Sequence, residues 1–117
     1  MTWLRWQKGR QRGGYDKLLL ATARRPFPFD CYLIRYPVGA FIAPHTDPVD
    51  GHRHFRLNLE VRRGTRGGVF VRNGLPQHGR IHLFRPDVER HEVTRVEGRA
   101  RYVLSVGWVR PPVPADG

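Results

Sequence analysis

His54-Phe-Arg-Leu-Asn-Leu-Glu-Val61 alternates without a break: Phe55, Leu57, Leu59 and Val61 fall on one face of an extended chain, and His54, Arg56, Asn58 and Glu60 on the other. Successive side chains leave a strand on opposite sides, so a period of two marks a β-strand with one apolar face. The pattern extends outward from there. Upstream, residues 31–36 are apolar and β-rich, Pro37-Val-Gly39 turns the chain, and Phe41-Ile42 leads into Pro44-His45-Thr46-Asp47-Pro48. Asp50-Gly51 marks a loop and residues 64–68 a second turn. Downstream, residues 69–71, 81–84, 92–96 and 101–109 read as short strands, with Asn73-Gly74 as a hairpin signal. Seven or so short strands at regular spacing predict an all-β sandwich or barrel.

One stretch reads differently. Residues 15–25, Tyr-Asp-Lys-Leu-Leu-Leu-Ala-Thr-Ala-Arg-Arg, are rich in Leu and Ala, with Arg24 and Arg25 suited to a helix C-terminus and Pro26 and Pro28 to end it. A short N-terminal helix is expected there, after an irregular lead-in ending at Gly13-Gly14. Pro111-Pro-Val-Pro114 closes the structured part. The expected organisation is one domain: residues 1–30 as lead-in and short helix packing on the barrel, 31–110 as the β core, and 111–117 as tail.

Composition narrows the class. A single cysteine, Cys31, excludes an internal disulfide framework and a four-cysteine zinc site. No apolar run approaches the ~20 residues of a membrane span, and the first dozen residues lack the apolar core of a secretory signal. A cytoplasmic location, with no membrane partner, is expected. The net charge is +11, a sign that attracts nucleic acid or an acidic partner. All the basic residues except Lys8 and Lys17 are arginine, a skew that codon composition also produces.

The chemistry gathers around three residues. His45 and Asp47 are two positions apart, so on an extended chain both side chains leave one face. His91 follows on a later strand. Two imidazoles and a carboxylate on one side of a fold make the facial triad of non-haem iron sites, which keeps coordination positions open. The other histidines, His52, His54, His78 and His82, read as loop or surface residues.

The order Tyr36-Pro-Val-Gly39, Pro44-His45-Thr46-Asp47, Arg56-Leu-Asn58, Gly67-Gly68, His91-Glu-Val, then Gly98-Arg-Ala-Arg101-Tyr-Val-Leu-Ser-Val-Gly107-Trp108 resembles the 2-oxoglutarate/Fe(II)-dependent oxygenases, most of all their prolyl 4-hydroxylase-like branch. The resemblance spans about residues 31–109. It implies a double-stranded β-helix, or jelly roll, with 31–110 as its oxygenase core. It implies His45, Asp47 and His91 as iron ligands, Arg101 as the anchor of the distal carboxylate of 2-oxoglutarate, and Tyr36 as a further cosubstrate contact. Arginine suits the anchoring role because its guanidinium can grip a carboxylate bidentately. The implied cofactors are Fe(II), 2-oxoglutarate and O2. The implied reaction is hydroxylation of a peptidyl side chain or a small molecule, with release of succinate and CO2.

Arg56 and Asn58 can also line such a pocket, although alternate polar residues on a strand usually face water. In the last strand Arg101, Val103 and Ser105 share the face expected to look inward. Tyr102, Leu104, Val106 and Trp108 share the other, expected to pack on the helix. Two further functions fit the same residues. One is a basic, non-catalytic jelly roll binding nucleic acid or a ribosomal surface through Arg5, Arg10, Arg12, Arg24 and Arg25 with Trp3, Trp6 and Tyr15, since aromatics interleaved with arginine can stack on bases. The other is a cupin-like metalloprotein that does not use 2-oxoglutarate.

Overall fold

The computed structural model describes residues 6–8, 13–23, 29–48 and 51–111. Ten strands run through them: β1 (Trp6–Lys8), β2 (Asp16–Ala23), β3 (Phe29–Tyr36), β4 (Ile42–His45), β5 (Arg53–Arg62), β6 (Phe70–Arg72), β7 (Leu75–Gln77), β8 (Ile81–Phe84), β9 (His91–Val93) and β10 (Arg101–Arg110). They form two antiparallel sheets, a six-stranded one in the order β1-β2-β3-β10-β5-β8 and a four-stranded one in the order β4-β9-β6-β7. Neighbours that are distant in sequence, such as β3 beside β10 and β4 beside β9, give the jelly-roll winding. The sheets enclose a core of Tyr15, Tyr36, Ala40, Phe70, Phe84, Val93, Val96 and Val103. The Asn73-Gly74 signal holds: both residues have positive φ, 50° and 79°, and join β6 to β7 as a two-residue hairpin turn.

Within the expected helix over residues 15–25, Asp16–Ala23 is a strand. It pairs along β3, with Leu18 opposite Leu33 and Leu19 opposite Tyr32, and β1 adds itself to the far edge. Leu and Ala favour a helix by only a few tenths of a kcal/mol per residue. Without β2, the edge of β3 would expose a row of unpaired backbone groups. The Leu18-Leu19-Leu20 run also lacks helical amphipathicity, and its polar start is held elsewhere: Asp16 accepts from Arg35 at 3.0 Å and pairs with Lys8 at 3.4 Å. The lead-in is likewise not wholly irregular, since Trp6–Lys8 is a strand. Arg24, Arg25, Pro26 and Pro28 lie outside the described residues, as do residues 112–117 of the tail. Among the described residues no helix is long and apolar enough to cross a membrane.

The polar and apolar faces of β5 are arranged inside out. Its register with β10 places Arg56 opposite Gly107, Asn58 opposite Ser105 and Glu60 opposite Val103. Arg101, Val103 and Ser105 are buried, as expected of an inward face. Glu60 is buried with them, and Arg56 and Asn58 line the cavity between the sheets. The apolar face of β5 looks outward: Leu57, Leu59 and Val61 are exposed, beside the equally exposed Ile81 and Leu83 of β8. Because β2 lies within the sheet, no helix from residues 16–23 covers this face.

Candidate metal centre and the adjoining cavity

The smaller sheet brings the triad together. His45 ends β4 and His91 begins β9, and the two stand opposite each other in the register. Their rings lie 4.3 Å apart between centroids. Asp47 follows two residues after His45, where its backbone N–H donates to the Pro86 carbonyl. Each imidazole is oriented from behind through Nδ1, His45 on the Ala43 carbonyl at 2.8 Å and His91 on the Glu89 carbonyl at 2.9 Å. Nδ1 of each ring therefore carries an N–H, and Nε2 of both rings is left facing Asp47 as the atom that would meet a metal. The Asp47 Oδ2 lies 3.2 Å from His45 Nε2 and 3.7 Å from His91 Nε2, and the three donor atoms all fall within 4.8 Å of one another.

Donors ~2.1 Å from one ion at 90–110° to each other stand roughly 3.0–3.4 Å apart. The His45–Asp47 spacing falls in that range and the His91–Asp47 spacing 0.3 Å beyond it, so a small side-chain adjustment would complete the site, and two imidazoles with a carboxylate are a donor set for a first-row divalent ion. Burial pushes the Asp47 carboxyl upward, but hydrogen bonds and charge from His91 and His45 outweigh it and hold the group below its usual range. The carboxylate is thus ready to ligate without first losing a proton.

The triad opens on a cavity of about 170 Å³ that also receives Tyr36, Arg56, Asn58, Arg101 and Ser105 from the larger sheet. Arg101 is buried, and its Nε donates to Glu60 Oε2 at 2.6 Å. The other Glu60 oxygen accepts from Arg63 Nε at 2.7 Å. One carboxylate between two guanidiniums leaves the cluster with a net positive charge. Arg101 Nη1 is buried and has no hydrogen-bond partner. The guanidinium centre lies 4.9 Å from the centre of the Tyr36 ring, and Tyr36 in turn stacks on Tyr15 at 5.5 Å. Burial pushes the Tyr36 phenol up, against the opposing charge of Arg101. Gly68, with φ +65°, makes room for this arginine: a Cβ there would sit 2.8 Å from Arg101 Cδ.

Glu60 and Arg63 escaped the sequence reading. The signal for Glu60 was present, since it shares the polar face of β5 with Arg56 and Asn58, but which face turns inward depends on the register with β10. His54 is not a surface bystander either: it lines the cavity, and burial, reinforced by the charge of Arg56, holds its imidazole below the usual range. Of the proposed nucleic-acid surface, Arg5, Arg10, Arg12, Arg24, Arg25 and Trp3 lie outside the described residues. Trp6 already carries Arg35 over its ring at 4.1 Å, and Tyr15 is buried, which removes it as a base-stacking platform.

No protein-family model matches the chain, and no curated protein matches it. Solved structures do. A Pseudomonas putida prolyl-4-hydroxylase aligns over 85% of this chain and 72% of its own, at 20% identity and a TM-score of 0.65. A predicted oxalate decarboxylase from Thermotoga maritima aligns over 92% and 95%, at 18% identity and 0.66. The cupin domain of Schizosaccharomyces pombe Cnp3 aligns over 89% and 67%, at 9% identity and 0.66. The chain therefore has the cupin-type double-stranded β-helix fold, with a His-Asp-His cluster placed to hold a metal.

Proposed function

We propose that the protein is a 2-oxoglutarate- and Fe(II)-dependent oxygenase of the prolyl 4-hydroxylase-like kind, hydroxylating a peptidyl side chain or a small molecule. The observation that carries this reading is the buried Arg101 guanidinium, with Nη1 unpartnered, in the same cavity as His45, Asp47 and His91. A desolvated charged donor without an acceptor is costly, and a carboxylate entering the cavity relieves it. When bound, iron with 2-oxoglutarate and dioxygen supplies the oxidising chemistry, which turns the cosubstrate into succinate and CO2 as substrate is hydroxylated. The chain's own residues supply geometry. His45 and His91 present Nε2 because their Nδ1 atoms are tied to backbone, and Asp47 offers its carboxylate. Arg101 receives the distal carboxylate on Nη1 while Glu60 holds its Nε, and Ile42, Phe70, Phe84 and Val93 keep water from the cavity walls.

The test is to titrate 2-oxoglutarate into the anaerobic Fe(II) protein and follow metal-to-ligand charge-transfer absorption. Binding is expected in the wild type. In Arg101→Ala the affinity should fall roughly 150- to 5,000-fold, from the ~3–5 kcal/mol of a broken buried pair. No absorption in wild-type protein that demonstrably holds iron rejects the reading. One observation favours a second one, a metal-binding cupin that does not use 2-oxoglutarate: Arg101 already has a carboxylate partner in Glu60. Metal binding without the charge-transfer band is its expected result.

A further inference from the structure

Across the inward face of the larger sheet, one row reads Asp30 on β3, Gly107 on β10, Arg56 on β5 and Phe84 on β8. Arg56 extends over Gly107, and its Nη2 donates to Asp30 Oδ1 at the rim, where Asp30 is about one-third exposed. Gly107 is what allows this. A Cβ there would lie 2.3 Å from Nη2 and 2.5 Å from Cζ of Arg56. Glycine inside a ten-residue strand weakens it, and its φ is not in the left-handed region, so the residue serves close approach rather than a bend.

The pair with Asp30 uses one nitrogen of the guanidinium. Arg56 Nε is buried and has no partner, and His54 Nδ1, two residues away on the same face, is a second buried atom without one. Both residues line the cavity that contains the triad. Their row lies at the level of the metal centre: Phe84, the register partner of Arg56, packs 5.2 Å from the His91 ring. Arg101 belongs to the other end. It stands six positions from Gly107 along β10, about 20 Å at ~3.3 Å per residue.

We propose that Arg56 orients the primary substrate, that this substrate carries a carboxylate, and that the carboxylate docks on Arg56 Nε beside the metal centre, with Asp30 as the positioning residue. The proposal deepens the oxygenase reading and rests on it for the word substrate; the docking site itself needs only the cavity. The groups facing it explain the preference in charge. Lys17 and Arg101 line the same cavity as further cations, against the single carboxylate of Asp47. An isolated structural ion pair at a barrel rim would not require a glycine in the neighbouring strand or leave a charged N–H dry and unmatched.

The test compares matched ligands by calorimetry on the zinc-loaded protein, with and without saturating 2-oxoglutarate. The probes are the free L-amino acids and, for each, its primary carboxamide, which keeps the ammonium and removes only the acid. At least one acid should bind roughly ten- to hundredfold more tightly than its amide, the range of a hydrogen bond to a charged group. That preference should persist in metal-free protein and collapse to within about threefold in Arg56→Gln. The 2-oxoglutarate affinity of Arg56→Gln should be unchanged. The proposal is overturned if no acid outbinds its amide, if the preference survives in Arg56→Gln, or if it vanishes with the metal. It is equally overturned if Arg56→Gln loses 2-oxoglutarate binding, which would make Arg56 a cosubstrate anchor. Should Arg56→Gln not fold, the same comparison in Arg101→Gln decides: the acid preference must persist there, and its loss overturns the proposal. Absence of 2-oxoglutarate binding with the acid preference intact rejects the oxygenase reading alone.

Discussion

Glu60→Ala tests the charge logic of the pocket. Glu60 is 9% exposed and holds two guanidiniums, that of Arg101, whose side chain is 4% exposed, and that of Arg63, which is about half exposed. After the substitution Arg63 turns to solvent at little cost. Arg101 cannot: its Nη1 is already without a partner, Nε joins it, and the charge stays enclosed beside Tyr36 and Val103. Removing one member of a buried pair costs ~3–5 kcal/mol. At about 1 kcal/mol per roughly 3–6 °C for a chain of this size, Tm should fall by about 9–30 °C. Urea unfolding and calorimetry read both quantities. The double variant Glu60→Leu with Arg101→Met should recover most of the loss, because an apolar pair in place of a buried ion pair is neutral or stabilising. On the proposed function, 2-oxoglutarate should raise the Tm of Glu60→Ala more than that of wild type, since its carboxylate then meets an unmatched arginine. A loss below about 1 kcal/mol in Glu60→Ala, or a double variant no more stable than the single, would refute the reasoning.

Three further outcomes follow from the geometry. Gly68→Ala should destabilise more than Gly74→Ala by denaturant midpoint: both have positive φ, but a Cβ at Gly68 meets Arg101 Cδ at 2.8 Å while one at Gly74 meets nothing within 4 Å. Zinc or nickel at a hundred times its Kd should stabilise the protein by ~2.7 kcal/mol, and Asp47→Asn or His91→Ala should lose that shift; retention in either would place the metal elsewhere. The hydrogen bond from Arg85 holds the Asp87 carboxyl below its ordinary range. A folded pKa below the unfolded one means that its stabilisation is complete above about pH 4. It is lost as pH falls through the folded pKa. The difference in unfolding free energy between wild type and Asp87→Asn should therefore shrink on acidification below that point, and a difference independent of pH contradicts it.

Sequence alone settled those features that depend on neighbours along the chain. The period of two in residues 54–61, the Asn73-Gly74 turn and the two-residue spacing of His45 and Asp47 are local, and they placed the strands, a hairpin and two members of the triad. It misjudged residues 16–23, where a weak local preference for helix yields to pairing along the edge of β3, the next strand, whose other edge is held by the distant β10. It also could not say which side of β5 faces inward. An alternating strand has two faces, and the usual rule sends the polar one to water; here the register with β10 turns Arg56, Asn58 and Glu60 into a cavity and leaves Leu57 and Leu59 outside. Only the tertiary structure joins Glu60 to Arg101, forty-one positions apart, and lays Arg56 across Gly107 to Asp30. These are contacts between strands brought together by the winding of the jelly roll, and no spacing within one segment encodes them.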